Sequence, residues 1–213
     1  MDETSLVRIA MSPHCALTTP SKAVYGRCYT GEAVRAQTHH RVYTRTPKGR
    51  SMGETNVTLA ILAEGWHAYQ MQLSQALAPL TPEQLGLRAA PQLRSIDELA
   101  RHIIGVRAGW FHNILGEGDD AFGAYHEWDQ PDALARTASE LVDGLAATWQ
   151  AMQMALARFT PDDFAQTVTG ERKGRAFAYQ RGWVVWHVIE HDLHHGGEIG
   201  YSLGMHGLQA PDL

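Results

Sequence analysis

Helical periodicity governs the chain from Met52 onward, where apolar side chains recur every three or four residues. Over residues 56–78, Leu59, Leu62, Trp66, Tyr69, Leu73 and Leu77 share one face, and Pro79 stops the run. A second helix is predicted over residues 95–115, with Leu99, Ile103, Val106, Trp110 and Ile114 as its apolar stripe. Its start is marked by Ser95-Ile96-Asp97-Glu98, which suits a capping box: hydroxyl and carboxylate each accept from an otherwise unpaired amide. A third, over residues 131–159, lines up Leu134, Ala138, Leu141, Leu145, Trp149, Met152 and Leu156. The fourth covers residues 181–203 and is stopped by Gly204 and Gly207.

The connections carry signals of their own. Thr81-Pro82-Glu83-Gln84 after the first helix parallels Thr160-Pro161-Asp162-Asp163 after the third. Each offers Thr at an N-cap, Pro at the first helical position and a polar acceptor three residues on, so a short helical turn is expected at both. Residues 116–130, rich in Gly and Asp, read as loop, and residues 165–180 as a small hairpin around Gly170 and Gly174. Four long amphipathic helices predict an all-α fold, a four-helix bundle over residues 52–213, whose sites are built from inward side chains of facing helices.

Residues 1–51 differ. They show no sustained period, and Thr19-Pro20-Ser21 and Thr46-Pro47-Lys48-Gly49 read as loop. They hold eight basic side chains against three acidic ones, whereas the remainder holds 10 basic against 20 acidic. A largely irregular, basic N-terminal extension is expected. A disordered tail, or a reading frame extended upstream of a start at Met52, explains it better than a basic arm for an anionic partner.

Composition narrows the function. With 44% hydrophobic and 19% charged residues the chain is of ordinary globular type. A net charge of −5 argues against nucleic acid as the main partner. No apolar run reaches the ~18 residues of a membrane span, and the N-terminus lacks a basic-then-apolar leader pattern. Cys15 and Cys28 make no disulfide framework, so a cytoplasmic location is expected.

The chemistry concentrates in the last predicted helix, which carries His187, His191, His194 and His195 within nine residues, between Trp183, Trp186 and Tyr201. The two tryptophans are of a type usually buried. Imidazoles four residues apart rise about 6 Å and share a face, so two can close on one ion, while a pair eight apart is separated by about 12 Å and cannot. One metal therefore takes His187/His191 or His191/His195. A third ligand must come from another helix, and His102, near the core edge of the second helix, suits this better than His67, His112 or His126. Three neutral imidazoles would leave an open coordination position, the pattern of catalytic rather than structural sites. The His-Glu-x-x-His protease pattern is absent, and only Glu64/His67 has the di-iron Glu-x-x-His spacing.

Residues 95–103 (Ser-Ile-Asp-Glu-Leu-Ala-Arg-His-Ile), residues 181–199 around Trp186-His187-Val188-Ile189-Glu190-His191-Asp192-Leu193-His194-His195, and the closing Leu203-Gly204-Met205-His206-Gly207-Leu208 resemble the DinB/YfiT-like metal-binding four-helix bundles. The resemblance covers residues 56–213. It implies that His102, His191 and His195 hold one divalent ion, zinc or nickel. His187 then becomes a pocket residue and His194 a surface or partner-facing one. By their position, Asp192 and Glu198 are candidate orienting groups for the ligating imidazoles; Arg181, at the start of the same helix, is a candidate anchor for an anionic group, although a solvated surface arginine is the stronger reading. Relatives of this kind include bacillithiol transferases and mycothiol-dependent maleylpyruvate isomerases. The implied function is a metal-dependent thiol S-transferase or isomerase acting on small electrophilic molecules, with a low-molecular-weight thiol as co-substrate. The alternatives are a hydrolase using metal-bound water, with Glu198 as base, or a non-enzymatic metal-binding bundle. A homodimer is a further implication, because such bundles often pair.

Overall fold

The computed structural model describes residues 57–172 and 174–211; the extension at residues 1–51, with the three readings of it, lies outside them. The chain forms α1 (Val57–Leu77), α2 (Pro82–Leu85), α3 (Ile96–Ala108), a π-helical segment (Gly109–Ile114), α4 (Asp120–Gly123) and a 3₁₀ turn (Ala124–Asp129). Then follow α5 (Ala138–Arg158), α6 (Pro161–Ala165), the strands β1 (Thr167–Arg172) and β2 (Arg175–Gln180), and α7 (Arg181–Met205). The long helices α1, α3, α5 and α7 make the bundle, with α3 packed on α5 and α7, and α1 on α5. The expected hairpin is present, with Val168 opposite Tyr179 and Gly170 opposite Phe177.

Capping chemistry sets the helix starts. The Ser95 hydroxyl accepts from the Glu98 amide at 3.2 Å, and the Glu98 carboxylate accepts from the Ser95 amide at 2.8 Å while also pairing with both Arg88 Nη atoms. Thr81 and Thr160 start α2 and α6 through the same reciprocal box, as their shared Thr-Pro pattern predicts. The third long helix is a correction: it begins at Ala138 rather than residue 131. Thr137 and Glu140 form a capping box there, and the Arg136 amide donates to Asp97 Oδ1 at 2.9 Å, drawing the preceding chain across α3. Leu134 consequently leaves the apolar stripe and is 76% exposed.

Two further expectations are revised. Residues 116–130 are not plain loop; Asp119 caps α4, and the 3₁₀ turn packs along α3, where Arg101 donates to the Trp128 carbonyl at 2.7 Å. Gly204 does not stop α7, since a helical glycine costs only about 1 kcal/mol. The stop comes at Gly207, whose φ of 68° lets the Leu208 amide reach the Leu203 carbonyl and its own amide reach that of Gly204.

The interior is divided. One apolar cluster gathers Leu73, Leu77, Ile103, Ile104, Leu141, Leu145, Ile199 and Leu203; a second gathers Trp66, Ala108, Phe111, Trp149, Met152, Val184 and Val188. Each long helix contributes a member to one buried polar network: Gln70, Arg107, Thr148 and Asp192. Arg107 Nε donates to Asp192 Oδ2 at 2.8 Å, and its Nη1 donates to Gln70 Oε1 at 2.9 Å and to the Leu145 carbonyl at 3.2 Å. Trp66 Nε1 donates to the same Asp192 oxygen at 2.7 Å. Burial raises the Asp192 carboxyl pKa against the opposing pull of Arg107 and Trp66.

Removing one member of a buried ion pair strands the other charge, at a cost of about 3–5 kcal/mol. Asp192→Ala is expected to lose stability on that scale in urea unfolding, while Glu190→Ala on the exposed face of the same helix leaves the midpoint almost unchanged. Equal effects of the two changes would contradict this account of the polar layer.

Candidate metal centre

The packing of α3 on α7 brings His102 against His191 and His195. Ring centroids lie 4.6 Å apart for His102/His191 and for His102/His195, and 4.4 Å for His191/His195. The Nε2 atoms of His102 and His191 face each other at 3.0 Å, and one ligating nitrogen from each of the three rings falls within 4.8 Å of the others. Spacing alone left two histidine pairs open on α7; the fold brings His191 and His195 to His102 and leaves the His187 ring 6.3 Å from that of His191.

Carboxylates fix two of the three rings. Asp129 Oδ1 lies 2.7 Å from His102 Nδ1, and Glu198 Oε2 lies 2.7 Å from His195 Nδ1. A carboxylate accepting from Nδ1–H holds the proton there and leaves the Nε2 lone pair free to face inward. The His191 imidazole is pushed down to about 2 by burial first, then by the nearby His195, His102 and His187 rings and the Arg94 cation. Burial also lowers His195, against the opposite pull of Glu198. Neutral rings with convergent lone pairs are what a borderline divalent ion requires. Two ligands at ~2.1 Å in a tetrahedral shell sit about 3.4 Å apart, close to the 3.0 Å between the Nε2 atoms of His102 and His191. The donor set therefore fits a metal ion.

Beside the triad stands a wall of rings. His187 stacks on Trp183 at 5.0 Å with an interplanar angle of 4°, and Trp183 stacks on Tyr179 of β2 at 4.8 Å. Trp110 presents its edge to His187 at 4.7 Å. It comes from the π-helical segment, whose wider turn is closed by the Leu115 amide on the Trp110 carbonyl at 3.1 Å. Trp183 and Trp186, read from sequence as buried types, are 44% and 55% exposed. The inward face of α7 is taken by Val184, Val185, Val188, Asp192, Gly196 and Ile199, which leaves both indoles outside it.

Other expected site residues lie elsewhere. Asp192 points into the core toward Arg107 and touches none of the imidazoles, because adjacent helical residues diverge by about 100°. Arg181 is ten residues before His191, about 15 Å along the helix. Its guanidinium binds Glu117 at 2.9 Å and covers the Phe159 ring, so it is no anchor for an anion at the triad. His194 is exposed, 3.5 Å from Glu198. His67 stacks on Trp149, His112 reaches the Glu117 carbonyl and His126 the Gly105 carbonyl, all away from the triad. Asp129 escaped the sequence reading. It lies 27 positions from His102, and only the 3₁₀ turn that the residues 116–130 form on α3 brings the two together.

A family model described as the DinB superfamily matches residues 66–199, well over half of the chain. Among solved structures, a DinB-like protein from Bacillus cereus ATCC 10987 is similar with a TM-score of 0.56 and 20% identity, over 76% of this chain and 99% of that one. A conserved protein from Enterococcus faecalis is similar with a TM-score of 0.51 and 15% identity, over 68% of this chain and 96% of that one. At these identities the likeness is one of fold. No curated protein matches the chain.

The depressed His191 gives a pH signature for the metal-free protein. Unfolded chain takes up that proton below the ordinary value of 6.5, whereas the folded ring resists it to about 2. Stability is thus expected to fall as pH drops through that window, and ring ¹⁵N shifts should show His191 still neutral at pH 5. A His191 ring that titrates near its ordinary value contradicts the described burial.

Proposed function

As this chain belongs to the DinB superfamily, we propose that it is a metal-dependent thiol S-transferase or isomerase for small electrophilic molecules, with one zinc or nickel ion on His102, His191 and His195. The observation that carries this reading is the convergence of three imidazoles, two of them oriented by carboxylates, with one ring nitrogen of each within 4.8 Å of the others. When bound, such an ion lowers the pKa of a coordinated thiol and supplies thiolate at neutral pH. The protein's own contributions are positional. Asp129 and Glu198 hold their rings in one tautomer and one orientation. His187, clamped between Trp183 and Trp110 with its pKa lowered by burial, offers a neutral ring that can accept a proton from an incoming group.

The contacts of Glu198 support this reading over hydrolysis: the carboxylate that would act as general base for a water nucleophile is engaged by His195 Nδ1 and faces His194. A thiol, already acidic compared with water, needs no dedicated carboxylate once coordinated. Among the described residues no helix is long and apolar enough to cross a membrane, in keeping with the cytoplasmic setting we propose.

Protein purified without a nickel column should carry one equivalent of metal by elemental analysis, and His102→Ala, His191→Ala and His195→Ala should each lose it; a variant that keeps full metal removes that residue from the site. Asp129→Asn should weaken metal binding about 10–100-fold in chelator competition. Monochlorobimane should turn over only with an added low-molecular-weight thiol. Equal turnover without thiol would support hydrolysis, and full metal with no turnover a structural role.

A further inference from the structure

We propose that the cavity beside His195 selects a small amphipathic carboxylate, seating its acidic group on Arg94 and its apolar body against Leu93, Leu99 and Tyr201. This deepens the reading of the metal centre by naming a substrate class, and for its chemistry it rests on that reading.

The cavity has a volume of about 500 Å³ between the chain that leads into α3 and the outer face of α7, within the range of small-molecule sites. His195, a member of the triad, forms part of its wall, so a molecule held there lies beside the imidazole cluster. Most of the remaining lining is apolar, and Leu93 and Tyr201 are largely exposed, as mouth residues awaiting a partner would be.

The charge in this cavity is unusual for the molecule. Of the nine arginines described, six are paired with carboxylates: Arg88 with Glu98, Arg101 with Asp97, Arg107 with Asp192, Arg136 with Glu140, and both Arg158 and Arg181 with Glu117. Arg172 lies over the Trp110 ring. Arg94 and Arg175 have no carboxylate partner among the described residues, and Arg94 is the one that lines this cavity. The carboxylate that shares the cavity, Glu198, is turned to His195 at 2.7 Å and His194 at 3.5 Å instead. An exposed guanidinium fork without a carboxylate partner thus lines the cavity, and its planar donors suit a carboxylate through two parallel hydrogen bonds.

The test measures direct binding of 4-phenylbutanoate and its neutral amide to the full-length, metal-loaded protein by calorimetry, with metal content determined on the same samples. The acid should bind about fivefold tighter than the amide, the scale of one partly exposed charge pair, with the preference shrinking at high salt. Arg94→Gln should abolish the preference while retaining metal, Arg94→Lys should keep part of it, and Arg175→Gln all of it. Equal or undetectable binding of both probes by the wild type overturns the proposal. So does a preference that survives Arg94→Gln, which would put the acid on the ion, or that vanishes in Arg172→Gln instead. Loss of metal in Arg94→Gln also overturns it, because Arg94 would then act through the imidazoles. Wild type that lacks metal but shows the Arg94-dependent preference removes the metal reading and leaves the cavity assignment standing.

Discussion

The pairing of Arg107 with Asp192 inside the bundle is the constraint on which the rest of the architecture depends. Two charges taken out of water are tolerated only when their remaining hydrogen-bonding capacity is met, and here Trp66, Gln70 and the Leu145 carbonyl meet much of it. Apolar burial is non-directional, so by itself it fixes the orientation of α7 against α3 less finely than a hydrogen-bonded pair does. The polar layer admits one register. It fixes α7 about its axis through Asp192, and so fixes the neighbouring His191 and, one turn on, His195 toward α3.

The orienting groups then arrive from elements with little regular structure. Asp129 sits at the end of a 3₁₀ turn held to α3 by the Arg101–Trp128 contact, and Trp110 projects from a π-helical stretch rather than the α-helix before it. In both cases a local departure from regular helix aims a side chain that a regular helix would direct elsewhere. The cluster is built by regular packing for its three imidazoles and by irregular backbone for what surrounds them.

Much of this was legible in the sequence. Capping boxes and apolar stripes placed α1, α3 and α7 closely, the Thr-Pro motifs placed α2 and α6, and the i, i+4 histidines marked the face of α7 that meets His102. What failed did so for physical reasons. Apolar residues before α5 imitated helical periodicity, but the capping box at Thr137 and Glu140 prevailed over them. Asp192 seemed an orienting carboxylate because it adjoins His191 in sequence, whereas helix geometry turns the two apart. Arg181 had a partner, Glu117, that only tertiary structure supplies. Asp129 carried no local signal at all, since its role depends on where a loop lies on another helix.

The repeated Thr-Pro turns divide the bundle into two passes of similar plan, each a long helix, a short capped turn and a second long helix. His102 comes from the first pass and His191 and His195 from the second, so an ion held as proposed on the three rings would rivet the halves of the polypeptide to each other. Its binding free energy would add to the folded state by mass action, and opening the bundle would first have to release it. Cellular supply of that occupant would thereby set how readily proteases dismantle the molecule, tying its lifetime to its readiness to work.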